Sequence, residues 1–267
     1  MISFLSIIAV GFFLGMRHAT DPDHVIAVTT IVSRQRNLLK AALTGIFWGI
    51  GHTFTIFVVG TAIILFDVVI PARIGLSMEF SVGLMLIVLG GMNIASFMRA
   101  AHTIAPPGEE SDLVHSHAHI HGDFVHNHAH SHDPETHSHI HQTPLTLLDR
   151  LFGKIGLYQQ LRPLVVGIVH GLAGSAAVAL LILTTIRNPH WAIVYLLVFG
   201  AGTVGGMMLI TMSIASAFKF FGKKNENFSH RLGLASGILS LAFGLFLAYQ
   251  IGFANGLFSG HPQWTPR

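Results

Sequence analysis

Six apolar runs, near residues 2–32, 39–66, 76–98, 163–186, 190–216 and 232–257, dominate this chain of 267 residues. Each is long enough to cross about 30 Å of hydrocarbon, which takes roughly 20 helical residues. The expected fold class is therefore all-α: a polytopic membrane protein with six transmembrane helices. Half of the residues are hydrophobic (51%) and a tenth are charged (10%), a membrane composition rather than a soluble one. The net charge of +3 is small and confined to particular loops, so nucleic-acid binding has no support. There is no cysteine, which removes disulfides, thiolate metal sites and thiol redox relays together.

The runs divide the chain into a first three-helix repeat (1–98), a polar insert (99–144), a short amphipathic segment (145–161) and a second three-helix repeat (162–267). Residues recur at an offset of about 151 to 154: Gly15 and His18 with Gly167 and His170, Gly49 and Gly51 with Gly200 and Gly202, Gly83 and Gly90 with Gly237 and Gly244. Three spans per unit is an odd number, so the second copy enters the membrane from the opposite face, as two inverted repeats. Lys and Arg divide eleven to three between the two sides, with Arg34, Arg36, Lys40, Arg99, Arg150, Lys154, Arg162, Lys219, Lys223, Lys224 and Arg231 on one and Arg73, Arg187 and Arg267 on the other. The positive-inside rule then places both termini outside and the insert in the cytoplasm. In the segment after the insert, Leu148, Leu151, Phe152 and Ile155 share one helical face, which predicts a helix lying on the membrane surface.

The insert carries three histidine blocks at a period of 11 residues: His115, His117, His119 and His121; His126, His128, His130 and His132; and His137, His139 and His141. Neutral imidazole is a good metal ligand, and alternate histidines favour chelation, so the insert is expected to be a disordered accessory metal loop.

The first apolar run is interrupted by GMRHATDPDH, Gly15 to His24, with five ionisable groups at membrane depth. Such groups are expensive there and mark function. Pro22 lacks an N–H and its ring clashes with the carbonyl of His18, which predicts a helix break. Asp21 before Pro22 reads as an N-cap opening a second half-helix. The break lets His18 fold back toward Asp23 and His24. Two imidazoles and a carboxylate suit Ni, Co, Zn or Fe as divalent ions. Arg17 needs a partner at that depth, with Asp21 or Asp23 nearest, and the repeat brings His170 toward the axis of His18. The bland alternative is a buried polar network that closes a helix break.

RHATDPDHV, Arg17 to Val25, resembles the signature of the nickel/cobalt permease family: a histidine, four residues, then Asp-His, matched by His18, Asp23 and His24. A second motif, glycine followed by His-Ser/Thr in the next span, is matched by Gly51, His52 and Thr53. The resemblance implies that His18, Asp23, His24 and His52 bind the transported metal. The later acidic motif of the eight-span permeases is absent from HGLAGSAAV, His170 to Val178, so the chain is more similar to the six-span branch that includes urease-associated nickel permeases and efflux proteins. The expectation is a plasma-membrane (inner-membrane) permease, not an enzyme and without a prosthetic group, carrying Ni(II) or Co(II) as substrate. Its partners would be membrane lipid, the divalent ion and cytoplasmic metallochaperone or urease maturation proteins. A negative-inside potential favours entry of a dication by about 4.6 kcal/mol per 100 mV, twice the single-charge value, so uptake is favoured over efflux. An intramembrane metalloenzyme with the same ligands is the rival reading; no HExxH helix supports it.

Overall fold

The computed structural model describes residues 4–33, 35, 37–66, 70–102, 114–121, 124–131, 161–173, 186, 188–224, 226–259 and 261–264. The first apolar run forms two short helices, α1 (Phe4–His18) and α2 (Pro22–Val32). Then come α3 (Leu38–Phe66), α4 (Ala72–His102), α5 (Leu161–Ala173), α6 (Pro189–Lys224) and α7 (Glu226–Tyr249), the last running into a π-helical turn, Gln250–Ala254. Four of these helices contain segments long and apolar enough to cross a bilayer: Leu38–Phe66, Ala72–Met98, Pro189–Phe220 and Arg231–Ala254. The second half of the fourth expected span and the expected surface helix lie outside the described residues.

The helices are apolar on their outer faces as well as their inner ones. Phe13, Phe54, Val58, Val88, Leu197, Leu239 and Phe246 are all exposed. In water, that many exposed large side chains would form an untenable patch. Hydrocarbon is the environment that suits helices apolar all round. Inside, Val28, Val32, Trp48, Leu86 and Met207 form the largest buried cluster, and Ile56, Leu196 and Phe199 a second.

Glycines set the distances between helices. Gly15 of α1 lies against the Phe199 carbonyl of α6, and Gly202 of α6 against the Phe12 carbonyl of α1. Gly167 of α5 lies against the Trp48 carbonyl of α3, and Gly51 of α3 against the Leu164 carbonyl of α5. At each, a Cβ would overlap the facing oxygen, so only glycine lets the backbones meet, the small-residue packing of membrane helices. Gly167→Ala is expected to destabilise the fold by at least about 1–3 kcal/mol, the usual cost of overpacking. Gly91, with open space where a Cβ would go, is the control. There alanine removes a helix-interior glycine and is expected to be neutral or stabilising by about 0.5–1 kcal/mol. Thermal denaturation of both variants in detergent, followed by size-exclusion, checks the contrast.

Part of the insert departs from the disorder expected of it. Val114–His121 and Phe124–Ser131 pair as antiparallel strands β1 and β2, with His115 opposite His130, His117 opposite His128 and His119 opposite His126. The physical reason is the His-x-His alternation itself, whose period of two is that of a strand. His132, His137, His139 and His141 lie outside the described residues.

Candidate metal centre

The helix break falls where Pro22 requires it. The Thr20 amide donates to the Arg17 carbonyl (2.8 Å) and the Asp21 amide to that of His18 (3.1 Å), a tight turn that ends α1. Asp21 is extended (φ −60°, ψ 145°), Pro22 takes the first helical position, and the Val25 amide donates to the Asp21 carbonyl (3.0 Å) to start α2. His18 thus closes one half-helix, while Asp23 and His24 stand in the first turn of the next. His52 comes from the middle of α3, and His170 from the end of α5.

These side chains converge. His18 Nε2 is 3.0 Å from His52 Nε2, and His170 Nε2–H donates to Asp23 Oδ2 at 2.9 Å. The His24 ring lies between them, its centroid 4.8 Å from those of His18 and His52 and 4.3 Å from that of His170. Its Nδ1 is 3.4 Å from Asp23 Oδ1. His24, His52 and His170 are almost wholly buried, at 2%, 0% and 1% exposure, whereas Asp21 is half-buried. Close helix contact makes this possible: Gly51 and Gly167 bring α3 and α5 together, and the Thr55 hydroxyl of α3 donates to the Ile168 carbonyl (2.9 Å), fixing the register that sets His170 beside His52.

Five buried nitrogens have no hydrogen-bond partner: both ring nitrogens of His24, Nδ1 of His52, Nδ1 of His170 and Nε1 of Trp48. An unsatisfied buried polar atom costs about 1–3 kcal/mol. The imidazole nitrogens among them, each ring able to offer one lone pair, lie beside one carboxylate, which is the donor set of a borderline divalent cation. Two groups of three have ligand atoms within 4.8 Å of one another: His18, His24 and His52, and Asp23, His24 and His170.

The four residues expected to bind metal are therefore neighbours, with His170 among them. Two expectations need correction. Asp21 occupies the backbone cap position, but its side chain makes no capping hydrogen bond. Its carboxylate instead contacts His18 Nδ1 at 2.8 Å. An imidazole three residues back, at the frayed end of α1, offers a charge-assisted partner that outcompetes an exposed amide. Arg17 is exposed and pairs with neither aspartate, since Asp21 turns to His18 and Asp23 to His170 and His24. Its position in the last turn of α1, where carbonyl dipoles favour a cation, gives the guanidinium a setting without a carboxylate.

Trp48 was not anticipated at this site. It is fully buried, with its indole 5.5 Å from the His170 ring and 6.0 Å from that of His24, and it walls the centre from the side of α3. Its spacing of four from His52, which puts both on one helical face, was the available signal.

No family model matches the chain, and no solved structure matches it. Over 257 residues, however, it is 36% identical to the urease accessory protein UreH of Bacillus sp. (strain TB-90), with 96% of each chain covered. At that identity and coverage the chain belongs to the UreH family of urease accessory proteins, the branch to which the missing acidic motif at His170 to Val178 pointed.

Proposed function

We propose that this protein is a membrane permease for Ni(II) or Co(II), which it binds in dehydrated or partly hydrated form at the break between α1 and α2. The observation that carries this reading is the gathering of four imidazoles and one carboxylate, with four of the eight ring nitrogens unpartnered, inside a bundle of apolar helices. Broken helices that present such groups at mid-membrane are the usual substrate sites of transporters. The relative's printed role in urease accessory function agrees with nickel as cargo. Asp23 is hydrogen-bonded to His170 and Asp21 contacts His18, so both carboxylates beside the imidazoles are already engaged, which disfavours either as the general base of a hydrolytic metalloenzyme.

The architecture proposed is six spans in two inverted three-helix repeats. Its support is the reciprocity of the glycine contacts. Gly15 against Phe199 maps onto Gly167 against Trp48, with shifts of 152 (15 to 167) and 151 (48 to 199). Gly202 against Phe12 maps onto Gly51 against Leu164, again with shifts of 151 (51 to 202) and 152 (12 to 164). Rocking of one repeat against the other would expose the site to each side in turn. The termini are proposed to face outward, and the histidine ribbon to lie in the cytoplasm as an accessory store that hands metal to maturation proteins. In this cysteine-free chain, single cysteines at Ser77, Ser116 and Ser259 test the orientation. On intact cells an impermeant thiol reagent is expected to label the first and third and spare the second; the reverse pattern sinks the topology.

Radioactive nickel and cobalt uptake by cells, by inverted vesicles and by liposomes holding only this protein tests the function. Metal-dependent flux in liposomes is expected, with accumulation in cells. Accumulation only in inverted vesicles would make it an exporter, and the absence of flux in all three would remove the permease reading.

A further inference from the structure

The donors at the helix break gather as two groups of three rather than as one group of five. Ligands of a single ion with bonds of about 2.1 Å lie at most about 4.2 Å apart. Here the donors fall into two triads whose shared member is His24: His18, His24 and His52 on one side, Asp23, His24 and His170 on the other. Within each triad the closest pair already stands at the spacing of neighbouring ligands. The two Nε2 atoms of His18 and His52 are 3.0 Å apart, and His170 Nε2 and Asp23 Oδ2 are 2.9 Å apart. Two bonds of about 2.1 Å at a right angle span about 3.0 Å. Between the triads, the ring centroids of His52 and His170 are 5.8 Å apart, against 5.2 Å for His18 and His52 within the first. His24 touches both triads, and neither of its ring nitrogens is tied down by a hydrogen bond.

We propose, resting on the permease reading above, that the transported cation occupies two successive positions here. The first is an all-imidazole position of His18, His24 and His52; the second is a mixed position of Asp23, His24 and His170. His24 stays bound as the other two ligands are exchanged for two more. The ion therefore crosses the centre without being stripped of all ligands in a medium that penalises a bare charge severely. The first position is neutral and selects for an imidazole-preferring dication, rejecting Mg²⁺ and Ca²⁺, which require oxygen ligands. The second supplies one negative charge.

The two positions also differ in which half of the chain builds them. Residues 18, 24 and 52 all belong to the N-terminal half, so the first position survives any movement between halves. The second needs His170 of α5, and parting of α3 from α5 at Gly51 and Gly167 would dismantle it. Relative motion of the halves thus makes and breaks one position while the other holds the ion.

Binding to the purified full-length protein in detergent tests this without relying on transport. Ni(II) affinity is measured by equilibrium dialysis, and Co(II) serves as a probe whose visible spectrum reports its donors. His18→Ala and His52→Ala remove the first position, His170→Ala and Asp23→Asn the second, and His24→Ala both. The expected result, beyond the metal held by the histidine-rich insert, is one further ion per chain in the first four variants at reduced affinity, with matching Co(II) spectra within each pair and different spectra between pairs. His24→Ala is expected to lose that further ion and keep only what the insert binds, and flux to be lost in all five. Two variants per position keep the comparison valid if one fails to fold, as judged by size-exclusion. Four single variants that lose binding as completely as His24→Ala, or that share one spectrum, would mean a single undivided centre and overturn the proposal while wild-type flux leaves the permease standing. Wild-type protein with neither binding nor flux overturns both.

Discussion

His24→Ala is expected to reduce nickel flux in liposomes to the passive leak. The imidazole is buried, belongs to both triads and brings two unpartnered nitrogens to the centre. Without it neither triad keeps more than two donors. The effect should exceed the 10–100-fold typical of groups that merely orient a ligand. Asp23→Asn is expected to fail for a different reason. Its amide oxygen can still accept the His170 Nε2–H, so the geometry survives while the negative charge facing the dication is lost. Flux and membrane abundance should be measured together for both. Full activity of His24→Ala at normal abundance would remove this centre from the transport path.

Substitutions of Asp21 are expected to give a graded loss of metal affinity. If its side chain merely capped α2, asparagine would replace it at almost no cost, and alanine would cost about 0.5–2 kcal/mol of stability with no change in metal affinity. The 2.8 Å contact with His18 Nδ1 gives another outcome. With Nδ1–H directed at the carboxylate, a neutral His18 presents its Nε2 lone pair toward His52 and the centre, the carboxylate–histidine arrangement that orients metal ligands. Asp21→Ala should therefore lower metal affinity about 10–100-fold. Asp21→Asn should lie between, because an amide oxygen accepts the same hydrogen without its charge. Nickel titration and thermal denaturation of the two variants separate the accounts. Unchanged affinity in Asp21→Ala would return Asp21 to a capping role.

The difference between these accounts shows what the sequence could convey. The break at Pro22 was legible because proline's missing donor is a local fact, and so was the convergence of His18, Asp23 and His24 that follows from it. The direction of the Asp21 carboxylate was not, since an aspartate before a proline satisfies the capping pattern whichever way its side chain turns. His170 was visible only as an echo of His18 in the repeat. Its bond to Asp23 depends on a register set by glycine contacts and by Thr55, none of which spacing along one helix can supply. Trp48 was hidden for a simpler reason: an indole in an apolar helix reads as packing, and what distinguishes it is a neighbour more than a hundred residues away. In the insert, the alternation that reads as a pattern of ligands also specifies a strand.

The indole that walls the centre has one more consequence, an optical one. The chain has three tryptophans; Trp191 stands on α6, and Trp264, near the C-terminus, donates its indole N–H to Glu79 at 2.8 Å, a bond lost when both are exchanged for phenylalanine. A chain with Trp48 as its sole tryptophan would emit from beside His24 and His170. Ni(II) and Co(II) are paramagnetic quenchers, so arrival of the cargo would darken the protein from within, and a stopped-flow trace of that emission would time each loading of the centre without a radioisotope or an added dye.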